Sequence, residues 1–511
     1  MSSIQRISRI PFHPILFGLY PVLKFLDHNV KEVELIVSVR MLIGVLLGVS
    51  VLFLFFRVLL RDWERSAVMV SIMTLLFFSY GHVYSALKHV NVLGEIVGRH
   101  RYLIIVYLIL LAVGWLWAIR KGRKTDITVG MNVIGFALLI VPMFHVVSYE
   151  LIFRRVPSSV APPVLEQPQK DPSFYPDVYY IIPDAYTRQD TLLEFYEYDN
   201  TPFLEALEDR GFYVARCSQS NYAWTQLSLG SSLNMNYIQE IYHRQDRNGL
   251  TSVVRNSLVR QILESIGYKF VAFDTAYTGT QWHDAAYYYS VEEKSLLASV
   301  FPNGLREYEA LFFRTTMGLI FLDVDTIFQM RLHEAITESP KRDRYERTKY
   351  ILDMMDSVIT LPSPKFVFVH ILSTHYPYVF GKDGEYQPDQ KDPISGYRDV
   401  VEYTNSRILD FVDAILARSS IPPIILIQGD HGTEETQRDF RRMNILNAYY
   451  LPDGGSDDLY ATITPVNTFR IIMDTYFSQD YGLLPDVSYL SLWPNLLKFE
   501  EVPDNWSGCT P

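Results

Sequence analysis

The hydrophobic pattern changes character once along the chain. As far as Ile152, long apolar runs follow one another with only short charged breaks. Beyond it, short apolar blocks alternate with stretches of helical spacing. A helix that crosses a bilayer needs ~20 apolar residues. Ile36 to Leu60, Ala67 to Leu87, Tyr102 to Ile119 and Ile127 to Ile152 are long enough, and Pro11 to Leu26, broken by Pro21 and Lys24, is a weaker first span. The pattern predicts about five transmembrane helices in a domain over 1–155. The first run has no small-residue cleavage site after it, so it is not read as a removable signal peptide. Arg40, His82 and His145 fall inside spans, where each reads most simply as interface snorkelling or one interhelical hydrogen bond.

The charged breaks orient the bundle. Arg6, Arg9, Arg57, Arg61, Arg65, Arg120, Lys121, Arg123 and Lys124 fall on one side. Lys31, Lys88, Arg99, Arg101, Arg154 and Arg155 fall on the other. The bias puts the first side in the cytoplasm and the C-terminal part outside the cell membrane. Dropping the first span leaves the Arg120 to Lys124 loop inside, so that end point does not depend on it.

From Val156 the chain is proline-rich and aperiodic, an extended linker over 156–175. In the following 176–511, Asp177 to Pro183, Tyr268 to Phe273, Lys365 to Leu372 and Ile424 to Gln428 read as buried strands. Thr201 to Arg210, Gln226 to Asn234, Asn256 to Gly267, Tyr345 to Ile359 and Tyr397 to Ala417 read as helices between them. Strands alternating with helices predict an α/β/α sandwich with a mainly parallel sheet. In such sheets ligands bind beyond the carboxyl ends of the strands.

Composition narrows the possibilities. Hydrophobic residues make up 49% of the 511 residues, which suits a membrane part joined to an ordinary globular one. A net charge of −11 argues against nucleic acid as a partner, since phosphate binding needs a basic face. Two cysteines, Cys217 and Cys509, exclude a clustered-thiolate metal site and allow one disulfide.

The candidate chemistry lies at strand ends. Asp184 ends the first strand, His375 follows the third, and Asp430 and His431 end the last. Thr225 opens a helix, where unclaimed N–H groups and the dipole favour an anion. Two carboxylates, an imidazole and a threonine oxygen suit zinc or manganese. Coordination lowers the pKa of the threonine hydroxyl and makes it a nucleophile. His375 is the candidate acid for the leaving group. His370, inside the strand, reads as a satisfied core histidine. The alternatives are ordinary ones: a helix cap for Thr225, turn residues for Asp430 and His431.

These residues resemble the sulfatase-like branch of the alkaline-phosphatase superfamily. Membrane-anchored lipoteichoic acid synthases and phosphoethanolamine transferases are similar in layout, with five spans, a linker and an extracytoplasmic α/β domain. The resemblance implies that Asp184, Thr225, Asp430 and His431 bind the metal and that Thr225, with Ser228 three residues on, is the nucleophile. It assigns His375, in Thr374-His-Tyr-Pro-Tyr, to the site as well. Cys217-Ser-Gln-Ser-Asn lacks the proline and arginine of a formylglycine motif, which disfavours a sulfatase proper. No histidine follows His431, which favours one metal ion over two. Trp282 and His283 compare loosely with a substrate-contacting tryptophan segment. Arg188 either reaches the site or pairs with a nearby carboxylate. The implied function is metal-dependent transfer of a phospho-group from a membrane lipid donor to a cell-envelope acceptor. A phosphate- or sulfate-ester hydrolase on the same site is one alternative, and a non-catalytic membrane protein that kept the fold is another.

Overall fold

The computed structural model describes residues 10–30, 33, 35–92, 95–121, 125–153, 175–244, 247, 249–291, 307–322, 327–388, 392–502 and 509. The expected linker lies outside these residues apart from Tyr175, as do Arg6, Arg9, Lys31, Arg123, Lys124, Arg154 and Arg155. The chain forms two compact units, Met1–Leu151 with Glu292–Pro340, and Ile152–Val291 with Lys341–Pro511.

The first unit contains α1 (His13–Asn29), α2 (Ile36–Leu60), α3 (Trp63–Leu87), α4 (His100–Lys121) and α5 (Thr125–Ser148). Among the described residues, four helices are long and apolar enough to cross a membrane, in place of the five expected: Ile36–Leu60, Trp63–Leu87, His100–Arg120 and Asp126–Leu151. The weaker first span is the helix α1 of 17 residues, with Pro21 inside it and a Lys24–Asp27 ion pair toward its end. The α2–α3 turn is set locally. Arg61 takes a left-handed conformation and the Asp62 side chain caps α3 by accepting from Arg65 N–H. Leu47, Val51, Leu54, Phe55 and Val58 of α2 stay exposed, as a lipid-facing surface requires.

The segment Glu292–Pro340, which the sequence pattern placed in the outer domain, belongs to this unit. Its helix Glu307–Arg314 buries Tyr308 and Phe312 with Val22 and Met41. Arg40, read as snorkelling or making one hydrogen bond, is half-buried, and its guanidinium pairs with Glu309, with Nε 2.6 Å from Oε1. The other polar intruders differ. His145 approaches Asp27 at 3.2 Å, and His82 is exposed.

The second unit is built on a seven-stranded sheet. Its strands are β1 (Val178–Pro183), β2 (Tyr213–Val214), β3 (Lys269–Phe273), β4 (Tyr287–Tyr289), β5 (Lys365–Ile371), β6 (Ile424–Gln428) and β7 (Asn447–Tyr450). The spatial order is β2-β7-β6-β1-β5-β3-β4. Every pairing from β6 across to β4 is parallel, and β7 runs antiparallel to both β6 and β2. The central strands β1, β5 and β6 are buried along their whole length, which is why they read as mainly apolar runs.

Period-two alternation sends their side chains into two cores. Tyr179, Ile181, Val367, Val369, Ile425 and Ile427 pack on one face with Val400, Ile408, Phe411 and Ile415 of the helix Pro393–Arg418. Val178, Tyr180, Ile182, Phe366, Phe368, Ile424 and Leu426 pack on the other with Leu229 and Leu233 of α6 (Thr225–Asn234), Leu263 of α7 (Leu258–Ser265) and Phe469 of α8 (Pro465–Phe477). The result is the expected three-layer α/β/α sandwich. Cys217 and Cys509 form a disulfide.

Candidate active site

The register of the sheet assembles the site. In β1 and β5, Ile182 lies beside His370; in β1 and β6, Ile181 lies beside Ile427. Side chains two apart share a face. Asp184 therefore follows Ile182, and Asp430 follows Gln428, on the face that carries His370. That is also the face covered by α6, whose first residue is Thr225. Three carboxyl ends and one helix start thus converge.

The tip of β1 turns sharply. Ala185 has φ +59°, a left-handed conformation. Its N–H then donates to Asp430 Oδ1 at 3.0 Å, and its carbonyl accepts from Tyr397 Oη at 2.8 Å. His431 N–H donates to the same Asp430 oxygen at 2.9 Å. Backbone donors thereby occupy Oδ1 and leave Oδ2 turned into the site. Gly429 permits this approach, because a Cβ there would stand 2.5 Å from the Tyr186 carbonyl oxygen.

Asp184, Asp430 and His431 are all buried, and one ligand atom from each lies within 4.8 Å of the others. His431 Nε2 is 3.4 Å from Asp430 Oδ2, 3.9 Å from Asp184 Oδ1 and 3.1 Å from Thr225 Oγ1. Asp184 Oδ1 and Asp430 Oδ2 are buried and accept no hydrogen bond from the described residues. Buried carboxylate oxygens without donors are costly unless a cation satisfies them. The His431 ring is set for the same purpose. Its Nδ1–H donates to the Gly432 carbonyl at 2.9 Å, which leaves the Nε2 lone pair for the site. The donor set and its spacing fit a zinc- or manganese-sized ion bound at ~2.0–2.2 Å.

Electrostatics agree with this arrangement. Burial alone raises the Asp184 carboxyl, but His375, His370 and His431 outweigh it and hold the group well below the ordinary range. Burial lowers the His431 imidazole, with help from Arg442, against the opposing pull of Asp430 and Asp184. The pair is thus a carboxylate and a neutral imidazole, the forms that bind metal.

Arg442 links the Thr225 and His431 segments. It is 1% exposed. Its Nε donates to the Ala223 carbonyl at 3.1 Å, just before Thr225, and its Nη1 to the Thr433 carbonyl at 2.7 Å, just after His431. Its guanidinium also lies 5.5 Å from the centre of the Trp224 ring.

Two histidines flank the cluster in different ways. His375 is half-buried, with Nδ1 2.6 Å from the Tyr376 carbonyl oxygen and 3.3 Å from Arg344 Nη1. His370 is fully enclosed. Its Nε2 stands 3.0 Å from Asp184 Oδ2, off hydrogen-bond alignment, and its Nδ1 is 3.2 Å from Thr280 Oγ1. His370 is the site neighbour that sequence reading set aside as core. Thr280 is held in turn from a loop anchored by Asp274, whose carboxylate meets Arg347 at 2.9 Å.

The three expected substrate contacts lie apart from this cluster. Trp282 is buried against Phe270 and Phe368, and its Nε1–H donates to the Arg255 carbonyl at 3.1 Å, so it packs the core. His283 is exposed and edges onto Tyr288. Arg188 is buried with Nε on Asp190 Oδ1 at 2.8 Å and Nη1 on the Ser218 carbonyl at 3.0 Å, the local-carboxylate alternative.

No family model matches the chain, and no curated protein matches it. Solved structures do. The C-terminal periplasmic domain of EcEptC from Escherichia coli, in complex with Zn, is 14% identical, with 64% of this chain and 93% of that one covered and a TM-score of 0.41. Lipooligosaccharide phosphoethanolamine transferase A (EptA) from Neisseria meningitidis, an integral membrane protein, is 13% identical over 91% of this chain and 95% of that one, with a TM-score of 0.39. The lipoteichoic acid synthase LtaP from Listeria monocytogenes is 13% identical over 61% of this chain and 74% of that one, with a TM-score of 0.37.

Proposed function

We propose that the protein is a membrane-anchored phospho-group transferase that uses Thr225 as nucleophile and one divalent cation held by Asp184, Thr225, Asp430 and His431. The observation that carries the reading is the convergence of two donorless carboxylate oxygens, one imidazole nitrogen and one hydroxyl at a helix N-terminus. The cation supplies a lowered hydroxyl pKa and charge neutralisation for phosphoryl oxygens.

The chain's own groups do the rest. The first N–H groups of α6 have no partners within the helix and face an incoming phosphoryl oxygen. Thr225 Oγ1 forms a bond to phosphorus as the bond from phosphorus to the lipid oxygen breaks. The Thr225 proton passes to water, and the leaving oxygen takes a proton from His375. In the second half, an acceptor hydroxyl gives its proton to His375 and its oxygen bonds to phosphorus. Thr225 departs and regains a proton from water. His370 orients Asp184. The disulfide and the charge bias of the loops both favour the sheet domain standing outside the cell membrane, facing envelope acceptors.

The test is intact-mass spectrometry of the full-length protein, metal-loaded and incubated with phosphatidylethanolamine–phosphatidylglycerol vesicles without acceptor. A phospho-adduct on Thr225, absent from Thr225→Ala, is expected. An adduct on another residue, or none, overturns the reading. Rapid release to water in place of an added hydroxyl acceptor identifies a hydrolase instead.

A further inference from the structure

A cavity of about 450 Å³ lies within the membrane-helix unit. Its walls come from α2, α3, α4 and the single 3-10 turn Met317–Leu322. Three of those walls are helices fit to cross a bilayer, so the surrounding medium is hydrocarbon. The size lies within the ~300–1,000 Å³ range of small-molecule sites.

Several features make it a formed pocket and not a chance crevice between spans. Gly44 and Gly48, one turn apart on α2, both line it, and a Cβ on either would meet nothing within 4 Å. The absent side chains are therefore part of the space. The fourth wall is also fixed. At Gly81 of α3, a Cβ would stand 2.4 Å from the Thr315 backbone, so only glycine lets the segment seat there. Arg40 and Glu309 clamp the same segment to α2. Along α4 the lining runs from Ile104 to Leu111, about two turns. The upper end lies one turn from His100, which accepts or donates to Tyr80 Oη at 2.7 Å and stacks on Tyr84. Next to His100 are Arg99 and Arg101, polar groups of the kind that sit at a headgroup.

We infer that this cavity is a binding site for one acyl chain of a membrane phospholipid, with its headgroup toward the His100 end of α4. An apolar cavity of this size between helices, ending beside aromatic and basic residues, fits a single unbranched chain. The inference stands on the membrane unit alone, whatever the sheet domain catalyses.

The test uses the full chain in phosphatidylethanolamine–phosphatidylglycerol nanodiscs doped with a phospholipid that carries a diazirine in one acyl chain. Cross-links are mapped by peptide mass spectrometry. Labelling is expected on Met73, Phe77 and Met317. Gly48→Phe, and separately Gly44→Phe, are expected to cut that labelling about tenfold, as when two or more methylenes lose their site. Leu54→Trp, on the exposed side of α2, is expected to leave it unchanged. Labelling spread over exposed faces, or insensitive to both glycine replacements, overturns the inference. So does competition by an isoprenoid lipid but not by unlabelled phospholipid.

Discussion

At the level of single residues, the site depends on how each acidic oxygen is used. Asp430 gives one oxygen to two backbone donors, and the other is buried with no donor among the described residues. Asp430→Ala is expected to remove bound metal from the purified protein, read by elemental analysis, while Asp190→Ala, which removes a carboxylate paired with Arg188, leaves it bound. Wild-type metal content in Asp430→Ala would refute the ligand assignment. Arg442 acts through others. By bracing Ala223 and Thr433 it sets the distance between Thr225 and His431. Arg442→Ala is expected to lower kcat on the order of 100-fold with metal content retained, the scale of a small misplacement of reacting groups. Arg442→Lys, a point charge without the fork, is expected to recover only part. Equal loss of metal and activity would mark a folding role instead.

At the level of elements, legibility followed from pattern. Asp184 and Asp430 could be read because an apolar run stopped at each of them, and buried parallel strands end where ligands bind. Thr225 could be read because it opens a helix. His370 could not. A lone imidazole among seven buried strand residues has the same signature as a core histidine, and only the pairing of β1 with β5 brings it to Asp184. The one available signal was a basic ring in the apolar stretch Phe366–Ile371 of its strand. Trp282 misled for the opposite reason, since a tryptophan beside a histidine in a loop has the same look whether it packs or binds. Glu292–Pro340 was illegible as part of the membrane unit, because Tyr308, Glu309 and Phe312 match partners distant in sequence.

The loop after β3 carries a prediction at this scale. Burial alone raises the Asp274 carboxyl, but Arg347 and hydrogen bonds from Ala276 N–H, Gln281 and Ser290 bring it below the ordinary value. A folded-state pKa below the unfolded one stabilises fully above the unfolded value of ~3.9 and is lost as pH falls through the folded value. Asp274→Asn is expected to cost about 2 kcal/mol at neutral pH, since it removes one of the two carboxylates, Asp274 and Asp343, that meet the buried Arg347. The difference from wild type should shrink in denaturant titrations below pH 4, and a difference constant down to the lowest pH would refute the account.

At the level of the whole molecule, two kinds of unit answer to two solvents. The sheet unit buries its apolar strands on both faces, while the helical unit leaves Leu54, Val58, Ile140 and Phe144 outward. The Cys217–Cys509 bond closes a loop of 292 residues in sequence separation. A cross-link over so long a loop stabilises by up to about 5 kcal/mol. Cys509→Ser is expected to lower the melting midpoint of the sheet unit, and a reducing agent should lower wild type to the same value. An unshifted midpoint would show that the covalent tie adds nothing to stability.

The left-handed turn at Ala185 has a further consequence for how this protein can change. Relief of that conformation by glycine is worth ~1–2 kcal/mol, while the extra freedom gained by the denatured chain takes back ~0.4–1 kcal/mol. Ala185→Gly should therefore leave the melting midpoint unchanged or raise it by a few degrees. What the methyl group provides is a narrower range of backbone conformations next to Asp184. A population evolving under heat would gain little by discarding it, and one evolving under demand for turnover would lose by doing so.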